Sequence, residues 1–213
     1  MKKDLFVLLL LLESLVSCPA QGTNLLLTCS PKFRRLVATH PEAFNAFTNA
    51  CCLAARTNSV ALVYFYSEND SVARGRSVYP HMAGQPDVMV CVRENQEPWD
   101  EFICIVGELL NTVSRSHYEE LMARAKAGLI SRSDFPREIN RVEFERTIRP
   151  MRDLLMQMKL TKKEKVRSYF YPRFLSYPDD FDAYLLYQKR TSPHRDLTQQ
   201  YQEEYDQLRS GGN

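Results

Sequence analysis

The side chains able to do chemistry in this 213-residue chain are few and scattered. Its four histidines, His40, His81, His117 and His194, never pair at helical spacing, so no two imidazoles share a helix face as a zinc cage requires. His40 precedes Pro41 and reads as a helix-start residue, His117 as a surface residue and His194 as the first-turn residue of a last helix. His81 lies in a Pro80–Pro86 loop between strands, where a side chain can line a cleft. Two carboxylates are candidates for general acid–base work: Glu108, set among Val106, Leu109 and Leu110, and Glu143 on a later helix. Asp179 and Asp180 read as an acidic pair at a helix start, favoured there by the backbone dipole. No nucleophile elbow, phosphate-cradling glycine loop or dinucleotide fingerprint is present, and seven glycines leave little material for one. No cofactor and no metal is expected.

Six cysteines complete the inventory. Cys91 lies in a β-branched run and Cys104 in an apolar helical pattern, where thiols behave as small hydrophobes. Cys51 and Cys52 are adjacent and point to different faces of a helix, so Cys29 with either Cys51 or Cys52 is the expected disulfide.

The elements that must position these groups follow from periodicity. Phe44, Phe47, Cys51 and Ala54 or Ala55 recur at helical spacing after Pro41. Ser59–Tyr66 and Asp87–Arg93 are dense in β-branched and aromatic residues and read as strands, with a short return strand at Arg76–Tyr79. One long helix is expected from Glu97-Pro98 to a Gly128 cap. Ser131–Asp134 caps the next, with Pro136 in its first turn, Glu143 along it and a kink expected at Pro150. Thr161 and Glu164 form a capping box, and Phe181–Tyr187 and Leu197–Leu208 mark two final helices. The class expected is α+β, a small sheet packed against a helical majority in one domain. The divisions expected are 1–17 as leader, 18–30 as tether, 31–209 as the domain and 210–213 as a tail.

Net charge is +2 with acids and bases interspersed, which excludes the focused basic face that nucleic-acid binding needs. Only the stretch KLTKKEKVR, 159–167, is locally basic; it reads either as a solvated helix start or as a patch for anionic lipid or polymer. The tyrosines at 169, 171, 177, 184, 187, 201 and 205 either dock the C-terminal helices on the core or form a wet recognition surface.

The first eighteen residues carry an address. Lys2 and Lys3 are followed by an apolar run, Leu5–Leu12, too short for the about 20 residues a spanning helix needs. Glu13 then breaks the run. Leu15-Val16-Ser17-Cys18 resembles the lipobox of bacterial lipoproteins. That resemblance implies cleavage before Cys18, a thioether lipid on its sulfur, and a chain of about 195 residues, sufficient for its own core. It also implies a cell-envelope location with the membrane as one partner and an envelope protein as another. Pro19, where an Asp would signal retention, favours the outer membrane. The competing expectation is plain secretion, with cleavage after Ala20.

A second resemblance rests on the 87–145 region. Strand DVMVCVR, then a helix carrying Gly107-Glu108-Leu109-Leu110-Asn111, then Glu143 on the next helix is similar to the layout of zincin metallopeptidases. That resemblance implies Glu108 as general base and Glu143 as third ligand, with Gly107 and Asn111 at the two histidine positions. Glycine offers no ligand atom and an amide oxygen is a poor one for zinc, so the implied zinc site is inactive. Two functions are therefore expected in competition: a non-catalytic, lipid-anchored binding or structural protein, and an exported hydrolase using Glu108 with Glu143 or His81.

Overall fold

The structure is a computed structural model that describes residues 25–56, 59–66, 74–79, 86–158, 160–191 and 197–211. It is α+β, with one three-stranded sheet amid a helical majority. The chain forms two compact units, one of residues up to Val113 with Leu154–Leu175, the other of Ser114–Asp153 and Ser176–Asn213.

The first unit holds the sheet. Strands β1 (Val60–Phe65), β2 (Gly75–Val78) and β3 (Val88–Arg93) lie in the order β1-β3-β2. β1 runs parallel to β3, pairing Val60 with Val88 and Phe65 with Arg93, and β2 runs antiparallel, pairing Gly75 with Val92. Central β3 is nearly all buried, as its unbroken run of apolar residues requires, whereas no residue of β1 is fully buried. α3 (Pro98–Val113) packs on the sheet, and α1 (Pro31–Thr39) and α2 (Pro41–Ala55) pack against α3 and each other. Phe33, Phe47 and Phe102 are wholly buried, and Phe33 packs edge-on to Phe47 at 5.1 Å. Each such ring contributes about 1.5–3 kcal/mol by leaving water. Gly75 is where β2 meets α3: a Cβ there would lie 3.0 Å from that of Cys104. The short helices α7 (Lys162–Arg167) and α8 (Phe170–Leu175) complete the unit, preceded in the chain by α6 (Arg149–Gln157).

The second unit is helical: α4 (Arg115–Ala127), α5 (Phe135–Glu143), a π-helical turn at Phe144–Ile148 that runs into α6, then α9 (Phe181–Thr191) and α10 (Leu197–Arg209). Leu121, Ala125, Ile130, Phe135 and Ile139 form one core, against which Tyr201, Tyr205 and Leu208 of α10 pack. Tyr184 of α9 is 1% exposed and lies 4.8 Å from the Phe144 ring. The tyrosine-rich tail thus contributes to the core at Tyr171 and Tyr184, while Tyr169 stays exposed. Gly128 takes φ +74° and closes α4, the left-handed cap its residue type allows.

Three expectations are corrected. Residues 25–30 are not the end of a tether: Leu25, Leu26 and Cys29 are buried, and the Ser30 hydroxyl caps α1 by accepting from the Phe33 amide. The single long helix is two, parted at Ser114, where ψ is −4°; the Thr112 hydroxyl, donating 3.0 Å to the Glu108 carbonyl, engages an acceptor of the backbone ladder just before the break. The irregularity expected at Pro150 falls one turn earlier. Proline would lose its hydrogen bond and clash with the carbonyl four residues back, and the ladder widens so that the Arg149 amide reaches Phe144 O.

Candidate functional site

Glu108 sits on α3 facing β2. The Ser77 hydroxyl donates to its Oε2 at 2.8 Å, and the Asn111 amide reaches the same oxygen at 3.4 Å. Burial raises its pKa above the usual carboxylate range, and the bonds from Ser77 and Asn111 offset part of that rise. Cys104 lies one turn earlier and donates weakly to Gln96 Oε1 at 3.7 Å. Burial first, then the Glu108 charge, pushes its thiol up to about 12, so it is no nucleophile at neutral pH. The arginine partners that burial of Glu108 would suggest are engaged in the other unit. Arg115 pairs with Glu119 at 2.7 Å, Arg146 bonds His117 at 3.0 Å, and Arg141 lies 5.0 Å from the centre of the Phe181 ring.

A protein whose acid has a raised folded-state pKa holds an extra proton above the unfolded value of about 4.5. That contribution is full below about 4.5 and declines as pH rises. Glu108→Gln removes the titration and keeps an oxygen for Ser77. The variant is therefore expected to gain stability on wild type as pH rises above about 4.5, read as diverging urea midpoints; parallel midpoints would contradict the burial of this carboxyl.

The other expected residues do not gather around it. Glu143 belongs to the second unit, where burial chiefly, and then the Glu143 charge, raise the Tyr184 and Tyr201 hydroxyls above their ordinary range. His81 and Cys18 lie outside the described residues. Among the described residues no group of three or more His, Cys, Asp or Glu is placed to hold a metal ion. The expected disulfide from Cys29 is not formed. Cys29 and Cys51 are free, buried thiols, and the Cys29 thiol donates to the Leu25 carbonyl at 3.3 Å. Cys52, one step round the helix from Cys51, is disulfide-bonded.

Sequence reasoning missed a pair of buried acids at the start of α3. Asp100, 1% exposed, accepts from the Ser168 hydroxyl at 2.5 Å and from the amides of Tyr169 and Phe170 at 3.0 Å each, with the Arg74 guanidinium 3.8 Å away. It caps α8 from another helix. Glu101, 3% exposed, accepts from the Ser30 hydroxyl at 2.7 Å and from the Tyr64 hydroxyl. Beside them Trp99 donates its indole N–H to Glu164 at 3.1 Å, and His40 Nε2 lies 3.2 Å from the same carboxylate. Partial burial raises the Glu164 pKa, but the bonds from Thr161 and Trp99 outweigh it and hold the carboxyl at about 2.

These contacts are structural in kind: each carboxylate satisfies helix-end amides or a buried hydroxyl. The signal available in sequence was two acids directly after Pro98-Trp99, which a helix dipole alone would also explain. No helix among the described residues is long and apolar enough to cross a membrane. No protein-family model, curated protein or solved structure matches this chain.

Proposed function

We propose that this chain is an exported, lipid-anchored protein of the cell envelope, acting by binding or structural contact with another envelope component. The observation that carries the reading is the N-terminal sequence: Lys2-Lys3, the eight-residue apolar run at 5–12, and Leu15-Val16-Ser17-Cys18. One acyl chain holds a protein only transiently, and the two or three on a lipoprotein cysteine hold it durably. Six residues separate Cys18 from Leu25, the first described residue and a buried one, a span of at most about 25 Å. The sheet-bearing unit would therefore stay close to the bilayer. A non-catalytic role is supported by Glu108, whose carboxylate is engaged by Ser77 and Asn111.

The test is the mass of the N-terminal peptide from membranes of the native host. The expected result is a chain beginning at Cys18 with a diacylglyceryl thioether on its sulfur. A sulfur atom carries one such substituent, so in the anchored chain Cys18 is not available to the disulfide that Cys52 forms here; an unmodified Cys18 would overturn the reading.

A further inference from the structure

Helix α7 is unusual in that none of its residues is buried. Six residues are too few to form a stable helix alone, and there is no apolar face to hold it. It is fixed by its ends instead. At its start Thr161 and Glu164 make a full capping box, and Glu164 is tied to Trp99 at 3.1 Å. At its end the Ser168 hydroxyl donates to buried Asp100 at 2.5 Å. What this mounting presents is Lys162, Lys163, Lys165 and Arg167, all exposed, with Val166 78% exposed and Tyr169 51% exposed beside them. None of the four cations is ion-paired to an acid among the described residues, and the single acid of the helix, Glu164, is turned to Trp99 and His40. Two of the lysines stand in the first turn, where the helix dipole disfavours positive charge. Lys165 and Arg167 stand in the last turn, which favours cations, and Lys165 lies 5.8 Å from the centre of the Tyr171 ring, so it is Lys162 and Lys163 that the sequence keeps where the helix does not reward them.

We propose that this face, Lys162 to Tyr169, docks on an anionic phospholipid surface, with the cations at the headgroup phosphates and Val166 and Tyr169 entering the interface. Cations around an exposed aliphatic residue and a tyrosine are the composition that headgroup-depth binding uses. An extended anionic polymer would meet the charges but leave Val166 without a role, whereas Tyr169 is also held by Arg74 over its ring at 4.4 Å and by Arg173 at its hydroxyl. The proposal goes beyond the N-terminal anchor and takes from it only the expectation that a membrane is at hand.

The experiment measures sedimentation of the purified full chain with vesicles of phosphatidylcholine alone and with about 30% phosphatidylglycerol. The N-terminal apolar run binds both kinds, so the ratio between them reads the patch. The ratio is expected to be on the order of a hundredfold and to collapse at about 0.5 M NaCl. In a variant with Lys162, Lys163, Lys165 and Arg167 all replaced by Gln, it is expected to fall to near one, with an unchanged thermal midpoint. Replacing four exposed cations elsewhere, Arg124, Lys126, Lys189 and Arg190, removes the same net charge and is expected to leave the ratio intact. A wild-type ratio near one, equal losses in both variants, or stronger binding to a soluble anionic polymer than to the vesicles would each overturn the proposal. Failure of the N-terminal mass test alone would leave this ratio unchanged, so the two readings fail separately.

Discussion

Asp100→Ala is expected to destabilise the protein by about 3–5 kcal/mol, measured by urea unfolding at neutral pH. The carboxylate is 1% exposed and accepts from Ser168, Tyr169 and Phe170 while facing Arg74 at 3.8 Å. Alanine leaves a buried hydroxyl and two amides without an acceptor, each unmet donor costing about 1–3 kcal/mol. It also removes the buried counter-charge that faces Arg74. Asp100→Asn keeps one carbonyl oxygen for these donors but brings an N–H₂ group among them, so it is expected to recover less than half the loss. A loss below about 1 kcal/mol for alanine would mean that water reaches this site and that α8 is not capped by Asp100.

Tyr184→Ala is the second large effect, about 3–5 kcal/mol, because it empties a fully buried aromatic position. The ring is 1% exposed and lies 4.8 Å from Phe144 and 5.4 Å from Tyr177. Tyr184→Phe separates packing from polarity. It keeps both ring contacts and loses only the hydroxyl to which the Gln188 amide donates, about 0.5–1.5 kcal/mol. The pair of variants is read by the same urea titration; similar losses in both would move the weight from the ring to the hydroxyl.

The strands were legible because β-branched and aromatic residues crowd at Val60–Phe65 and Val88–Arg93 with polar breaks between. The α7 capping box and the Gly128 terminus were legible because both are local, set by residues within one turn. What stayed hidden depends on distant neighbours. Asp100 reads as a dipole-favoured first-turn acid until Ser168 is brought to it across 68 residues. Glu108 is engaged by Ser77, a small polar residue on a strand with no charge signal. Leu25 and Leu26 read as part of the tether because three consecutive leucines without a following period show no face. The break at Ser114 carries no glycine or proline to announce it. The Cys29 pairing rested on compartment alone, and nothing in spacing tells Cys51 from Cys52.

The side-by-side alignment of β1 with β3 sets an order of events for a polypeptide made from its amino end. Residues 60–65 emerge before their partner at 88–93 exists, and parallel strands, here with β2 between them in the chain, cannot zip together as a tight hairpin would. Until some two dozen further residues are out, VALVYF is a greasy, unmated ribbon at risk of sticking to another like itself. Newly made copies are thus most in need of a holding chaperone during that interval, and overproduction should show its clumping there, before the last helices are ever synthesised.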